Sequence, residues 1–427
     1  MRSVLDPAVG EVPALSSKIH DMAALVLLAA FALIWPALAT PQFWTNAFAQ
    51  RDILGVDSIA YYTAVQNDIS GVAFERRPLF GYLVPPLKWA YEILFGLDNG
   101  DAAFAAFRTV GVLPPLMTYG LARLQLNIWP SLALAVFCAA TLVVMFHNLA
   151  FESYALTMAA GIGALSVATA FYRWCPDPVT ERPILAALLA VAVTVAAGWI
   201  ALTLLSVLLV FLIPAFAVAR RPWQASLWGG LVTGGAGMLF LVPSLVKPGV
   251  VNIEGAMAAR NLVSANLLSL DAWANVLIAD FIAALAYPGD VLPGSRFPGI
   301  VNVEDWMPPV REQAMSNPWA LLLSAMFLAL MALSWSAVRK AGISCYLVLA
   351  MWLALGASIV FFVLWGPGEA MLFSGCVWPY QIALAITGRA QIGPRRGWIV
   401  DAALILLALL MFANNLGVLN ETVGTYD

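Results

Sequence analysis

ILAALLAVAVTVAAGWIALTLLSVLLVFLIPAFAV, residues 184–218, runs without a single charged side chain. As one helix at 1.5 Å per residue it would be roughly 50 Å long. A bilayer's hydrocarbon core is about 30 Å thick. The stretch is too long for one crossing and suits two, with a turn near Trp199. Lipid offers the backbone no hydrogen-bond partner, so only helices and closed barrels cross it. The period-two alternation of a barrel strand is absent here.

The same reading extends along the chain. Of its residues 62% are hydrophobic and only 11% charged, so apolar stretches of spanning length recur. They fall at 22–39, 103–122, 129–146, 153–171, 184–199, 201–218, 224–244, 318–336, 343–364, 371–387 and 398–416. The expected fold is all-α: a polytopic integral membrane protein of about eleven transmembrane helices, one transmembrane domain over 1–427. GYLVPPLKWAYEILFG, 81–96, carries Pro85, Pro86, Lys88 and Glu92. It reads as a helix along the membrane interface, with tryptophan and lysine at headgroup level. The N-terminus imitates a secretory leader, with Arg2 and Lys18 before an apolar run and PALAT. The long stretch ahead of that run favours a retained span.

Orientation follows from the basic residues of short loops. With the N-terminus in the cytoplasm, twelve basic and six acidic residues lie inside, a net of about +6; nine basic and eighteen acidic residues lie outside or at the outer boundary, about −9. Two long external loops result, 40–102 and 245–317, each with an interfacial helix. The second holds LSLDAWANVLIADFIAALAY, 268–287, an amphipathic stretch with Asp271 and Asp280. It suits a surface helix, a re-entrant piece or an extra span. The inner loops are short, so chemistry is expected at the outer face.

Several classes fall away. No GxGxxG or GxxxxGK[ST] pattern occurs, and neither a nucleotide fold nor nucleic-acid binding is indicated. The four cysteines form no CxxC and there are two histidines, so no metal-ligand cage is expected. No inverted pair of broken helices stands out, which speaks against a secondary transporter.

The candidate chemistry lies in the outer segments. In GVDSIAYYTAVQND, 55–68, Asp57 precedes Tyr61 and Tyr62; a partly desolvated carboxylate there serves as a general base, or simply caps a short helix. Asp52 and Asp68 read as solvated loop acids. Arg76 and Arg77 suit a phosphate by bidentate bonding, or anionic lipid in general. Arg108 in AAFRTVG either snorkels or reaches the same phosphate. HNLAFESYAL, 147–156, sets His147 and Glu152 between apolar runs, as phosphate donor and sugar ligand or as plain turn residues. In WGPGEAMLFSGCVWPYQ, 365–381, Glu369 sits among aromatics, which suits a sugar ring or an aromatic belt.

These segments together resemble the GT-C superfamily of membrane glycosyltransferases. The likeness rests on an early acid in a large first external loop, a proline-bearing interfacial helix, an arginine near the start of the next span and an acid-bearing external turn. It is best over 40–172, with a weaker echo at WGPGEAMLFS. It implies a polyprenyl-phosphate sugar as donor, a mannosyltransferase-like activity, and no cofactor beyond a divalent metal that varies in the superfamily. The implied partners are membrane lipid, the lipid-linked sugar and an acceptor hydroxyl on a glycan, lipid or protein. By this resemblance Asp57 is the catalytic acid of the site; Arg76, Arg77 and His147 meet the donor phosphate and Glu152 holds substrate. Arg108, Glu369, Tyr61 and Tyr62 complete the candidate set. The chain departs from the superfamily at Ser58, where a second acid is frequent, and lacks a histidine before the prolines. The implied setting is a bacterial inner membrane with a periplasmic site. A flippase of lipid-linked sugars and an O-antigen polymerase or ligase are the rival readings.

Overall fold

A computed structural model describes residues 15–39, 58–68, 78–149, 154–243, 264–289, 307–339, 343–365 and 370–424. Among them no strand occurs, and most are helical. In order the α-helices are α1 (Leu15–Ala39), α2 (Ser58–Gln66), α3 (Pro78–Phe95), α4 (Asn99–Arg123), α5 (Ile128–Ala140), α6 (Leu142–Leu149), α7 (Tyr154–Trp174), α8 (Pro178–Glu181) and α9 (Pro183–Ile200). After a 3-10 turn at Leu202–Ser206 come α10 (Val207–Val218) and α11 (Pro222–Phe240). Another 3-10 turn, Ser264–Leu268, leads into α12 (Leu270–Ile278) and a π-helical turn, Ala279–Ala283. The chain ends with α13 (Met307–Ser316), α14 (Pro318–Leu333), α15 (Trp335–Val338), α16 (Ile343–Trp365), α17 (Ala370–Ala390) and α18 (Pro394–Gly424).

This is an integral membrane protein. Among the described residues six stretches are helical, long and apolar enough to cross a bilayer: Lys18–Trp35, Tyr154–Trp174, Pro183–Ile200, Pro318–Val338, Ile343–Trp365 and Arg395–Glu421. The pair α5 and α6, bent by 63°, makes a seventh if taken as one span. The expected count of about eleven is therefore not confirmed by length and apolarity among the described residues. Helix α4 is long but carries Asn99, Asp101, Arg108 and Arg123; α11 carries five glycines; α10 is short.

The apolar run 184–218 does divide in two. Helix α9 stops at Ile200 because Ala201 turns to extended backbone, φ −152° and ψ 128°. Gly198 lets the following turn fold back: a Cβ there would meet Leu205 Cδ2 at 2.5 Å. Trp199 Nε1 donates to Phe240 O at 3.2 Å, tying the break to the end of α11.

The centre of the bundle is made by α4, α5, α7 and α17, with α18 along α5 and α14 along α17. At Thr141 the α5–α6 backbone leaves the helix, which exposes peptide groups where no water can serve them. The segment after the π turn fills the break. Leu142 N donates to Leu285 O and Val143 N to Ala284 O, both at 3.0 Å. Asn415 of α18 closes the joint: its Nδ2 donates to Ala140 O and Leu285 O, each at 2.9 Å, and its Oδ1 accepts from Tyr287 N at 3.2 Å. Asn415→Leu keeps the volume and strands two buried backbone groups, Ala140 O and Tyr287 N, while Leu285 O keeps the Leu142 N–H. It is expected to cost about 2–4 kcal/mol, because partners recruited in the unfolded membrane state offset part of the loss. Thermal unfolding in detergent measures this. Residues 279–287 thus enter the bundle instead of covering its surface.

Helix α3 departs from its expected role in one respect. Trp89 is half-exposed, as an interfacial residue would be, but Lys88 is only 1% exposed. Its Nζ donates to Asp68 Oδ1 at 2.6 Å and Gln66 O at 3.1 Å, and meets Glu92 Oε1 at 3.4 Å. Trp89 Nε1 also donates to Asp68, at 2.7 Å. Asp68 is therefore the anchor of α2 on α3, not a free loop acid; its φ of 57° is the left-handed conformation that ends α2. The Lys88 hydrogen bond holds its carboxyl below the ordinary 3.8. That contribution is present above the unfolded value and lost as pH falls through the lowered one. Because Asp68 is half-exposed, the effect is under about 1 kcal/mol. Asp68→Asn is expected to lower the melting temperature slightly at pH 6 and to lack this acid limb when melting is followed towards pH 3.

Candidate functional site

Helix α4 begins with a capped turn: Asp98 Oδ1 accepts from Asp101 N at 2.8 Å. Three turns on, Arg108 points into the bundle and is 3% exposed. It does not snorkel. One guanidinium nitrogen, Nη1, donates to the backbone oxygen of Asn148, and its Cζ lies 4.9 Å from the Phe104 ring centre. Cation over ring and charge-assisted bond both favour the guanidinium in this low-dielectric setting.

Asn148 is held from two further sides. Its Nδ2 donates to Ala32 O of α1 at 3.0 Å. Its carboxamide fills the space that Gly111 leaves open, one turn along α4 from Arg108. A Cβ at Gly111 would meet Asn148 Cγ at 2.6 Å and its backbone Cα at 3.2 Å. The contact is with backbone as well as side chain, so no rotamer change relieves it. Gly111 is thus what allows α6 to bring its last turn against Arg108.

His147 is the next residue in that turn and is 2% exposed. Its ring packs between Phe146, at 5.0 Å, and Tyr154 at the start of α7, at 4.8 Å. Gly375 of α17 faces it: a Cβ there would lie 3.3 Å from His147 Cδ2 and 3.4 Å from Nε2. Phe373 extends the wall, 6.2 Å from Tyr154 and stacked on Phe362 at 5.1 Å. Four helices, α4, α6, α7 and α17, therefore meet around the last turn of α6, where Arg108 and His147 are buried. A guanidinium so placed is a donor suited to an anion such as phosphate.

Of the residues expected from the sequence, Arg108 and His147 are both buried at the last turn of α6, Arg108 through its bond to the Asn148 backbone and His147 as a member of that turn. Tyr62 is buried; its hydroxyl donates to Gly100 O at 3.2 Å and bolts α2 to the first turn of α4. Tyr61 lies in α2. Asp57, Arg76, Arg77, Glu152 and Glu369 lie outside the described residues. In sequence each is close to a described helix end: Asp57 precedes α2, Arg77 precedes α3, Glu152 lies between α6 and α7, and Glu369 precedes α17. Asn148, Gly111 and Gly375 were not foreseen. Their signal is faint: an Asn beside the His, and glycines on helices that must approach closely. Among the described residues no group of three or more His, Cys, Asp or Glu is placed to hold a metal ion.

Comparison with known proteins yields little. No family model matches the chain. No curated protein matches it. Among solved structures the chain is similar to the archaeal oligosaccharyltransferase AglB from Archaeoglobus fulgidus, determined in complex with an inhibitory peptide and a dolichol-phosphate. The TM-score is 0.49 and the identity 15%, covering 96% of this chain. The chain spans 56% of the length of that protein.

Proposed function

We propose that this protein is a membrane glycosyltransferase that moves a sugar from a polyprenyl-phosphate carrier to an acceptor hydroxyl at the periplasmic face of a bacterial inner membrane. The observation that supports the reading is the burial of Arg108, bonded to the Asn148 backbone in the last turn of α6, the turn that also holds the buried His147. An arginine is always charged, and ionisable residues buried in a membrane bundle are costly and mark functional sites by default. A lipid-linked donor brings its phosphate to the membrane with the sugar attached, so a membrane-embedded cationic centre matches it.

The chemistry is an in-line displacement. The acceptor oxygen forms a bond to the sugar's anomeric carbon as the bond to the phosphate oxygen breaks. Asp57 takes the hydroxyl proton, and the electron pair leaves with the phosphate. Arg108 and His147, with Arg76 and Arg77, stabilise the charge that develops there. Glu152 and Glu369 hold sugar hydroxyls.

The test is turnover by purified protein offered a panel of polyprenyl-phosphate sugars and acceptor alcohols, in detergent and in liposomes. The expected result is release of polyprenyl phosphate in step with sugar on the acceptor. Carrier that crosses the bilayer with its sugar intact overturns the reading in favour of a flippase. Activity confined to pyrophosphate-linked donors does so in favour of a polymerase or ligase.

A further inference from the structure

A second polar centre lies outside that chemistry. Asp280 sits in the π-helical turn Ala279–Ala283 and is 2% exposed; Gln381 of α17 is 1% exposed. A π turn carries one residue more than the helix can pair, and such turns recur at functional sites. Gln381 Nε2 donates to the backbone oxygen of Asp280 at 3.0 Å. That bond settles the carboxamide's orientation, since the opposite flip would set oxygen against oxygen. Gln381 Oε1 is therefore an obligate acceptor. Neither it nor Asp280 Oδ2 finds a hydrogen-bond donor among the described residues. Gln381 is eleven residues into α17, about 16 Å along its axis, so the pair lies deep in the bundle.

The elements packed on the π turn are α12, α13, α14 and α17. Their charged groups are Asp271 on α12, Arg311 and Glu312 on α13 and Arg389 on α17, while α14 has none. Arg311 is paired with Asp271, and Arg389 with Asp401 at 2.6 Å. Glu312 is exposed. Of the other titratable groups on these helices, Cys376 and Tyr380 of α17 are buried, and the Tyr380 hydroxyl is bonded to Ser206 Oγ at 2.6 Å. Each nearby cation thus has its own carboxylate. A deep carboxylate, on a residue whose backbone is bonded by a side chain with its own lone acceptor, is expensive to keep bare.

We propose that Asp280 and Gln381 form an intramembrane binding site for one monovalent, oxygen-seeking cation, Asp280 supplying the charge and Gln381 Oε1 the neutral ligand. One carboxylate balances one positive charge, which disfavours a divalent ion. Two sources share this chemistry: an alkali-metal ion, and a proton held as a neutral carboxyl that donates to Gln381. The site is independent of the glycosyltransferase reading and does not need turnover to be examined.

Melting of the purified protein in sodium, potassium and N-methylglucamine chloride at one ionic strength tests the first source. An alkali ion is expected to raise the melting temperature by about 2–5 °C in wild type and not in Asp280→Asn. Infrared difference spectroscopy of wild type against Asp280→Asn tests the second: a protonated-carboxyl band at neutral pH, present only in wild type, marks the proton. If Asp280→Asn fails to fold, Gln381→Leu replaces it. The proposal then stands if the alkali shift shrinks or the carboxyl band moves, and falls if both are unchanged. A wild type with neither an alkali shift nor a protonated-carboxyl band overturns it outright.

Discussion

Arg108→Met is expected to lower kcat/KM for the donor by about 10²–10³ while leaving the melting temperature unchanged or raised. The two halves of that expectation come from one cause. A buried guanidinium loses its hydration, and contacts in a low-dielectric interior, Asn148 O and Phe104 among them for Arg108, often do no more than offset that loss. Replacing a buried charge with an apolar side chain of similar length is commonly neutral or stabilising. Removing one group that stabilises charge on a leaving oxygen costs about 2.7–4 kcal/mol of transition-state binding. A structural arginine would show the opposite pattern, with a lower melting temperature and activity falling only through unfolding. Steady-state rates and melting on the same preparation separate the two.

Asp57→Ala is expected to reduce kcat by about 10²–10⁴ with donor binding retained, the range that a positioned base contributes. The residue directly precedes α2, and α2 is held rigidly where it matters. Tyr62 ties it to α4, and Asp68 ties its other end to Lys88 and Trp89 of α3. A base that only takes the acceptor proton changes the rate of proton removal and not the contacts to phosphate. The ratio of donor Kd between variant and wild type should therefore stay near one. Undiminished turnover by Asp57→Ala sinks the proposed mechanism; a donor Kd raised in proportion to the lost rate assigns Asp57 to binding instead.

Much of the scaffold was legible from residue types. The division of 184–218 into α9 and α10 follows from length alone, since no single helix of that size suits a bilayer. Helix α3 was legible despite Pro85 and Pro86, because its aromatic and apolar residues keep helical spacing. The inward lysine was not. Lys88 is buried because Asp68 is carried to it by the end of a different helix, twenty residues earlier. Asn415 is the plainest case of what stayed hidden. Its partners are backbone groups of Ala140, Leu285 and Tyr287, and backbone groups leave no mark in a sequence.

Arg108 and His147 show where the boundary lies. That both are ionisable groups among apolar neighbours, and so deserve suspicion, is plain from the sequence, because lipid makes such residues expensive. That both are buried at the last turn of α6 was decided by the bend at Thr141 and by two glycines, Gly111 against Asn148 and Gly375 against His147, that let α4 and α17 close in on it. Composition determined the solvent, and the solvent determined helices, because a backbone in lipid must satisfy itself. Which polar side chains turned inward to meet one another was left to helix packing, because contact between residues far apart in the chain depends on shape and not on local pattern.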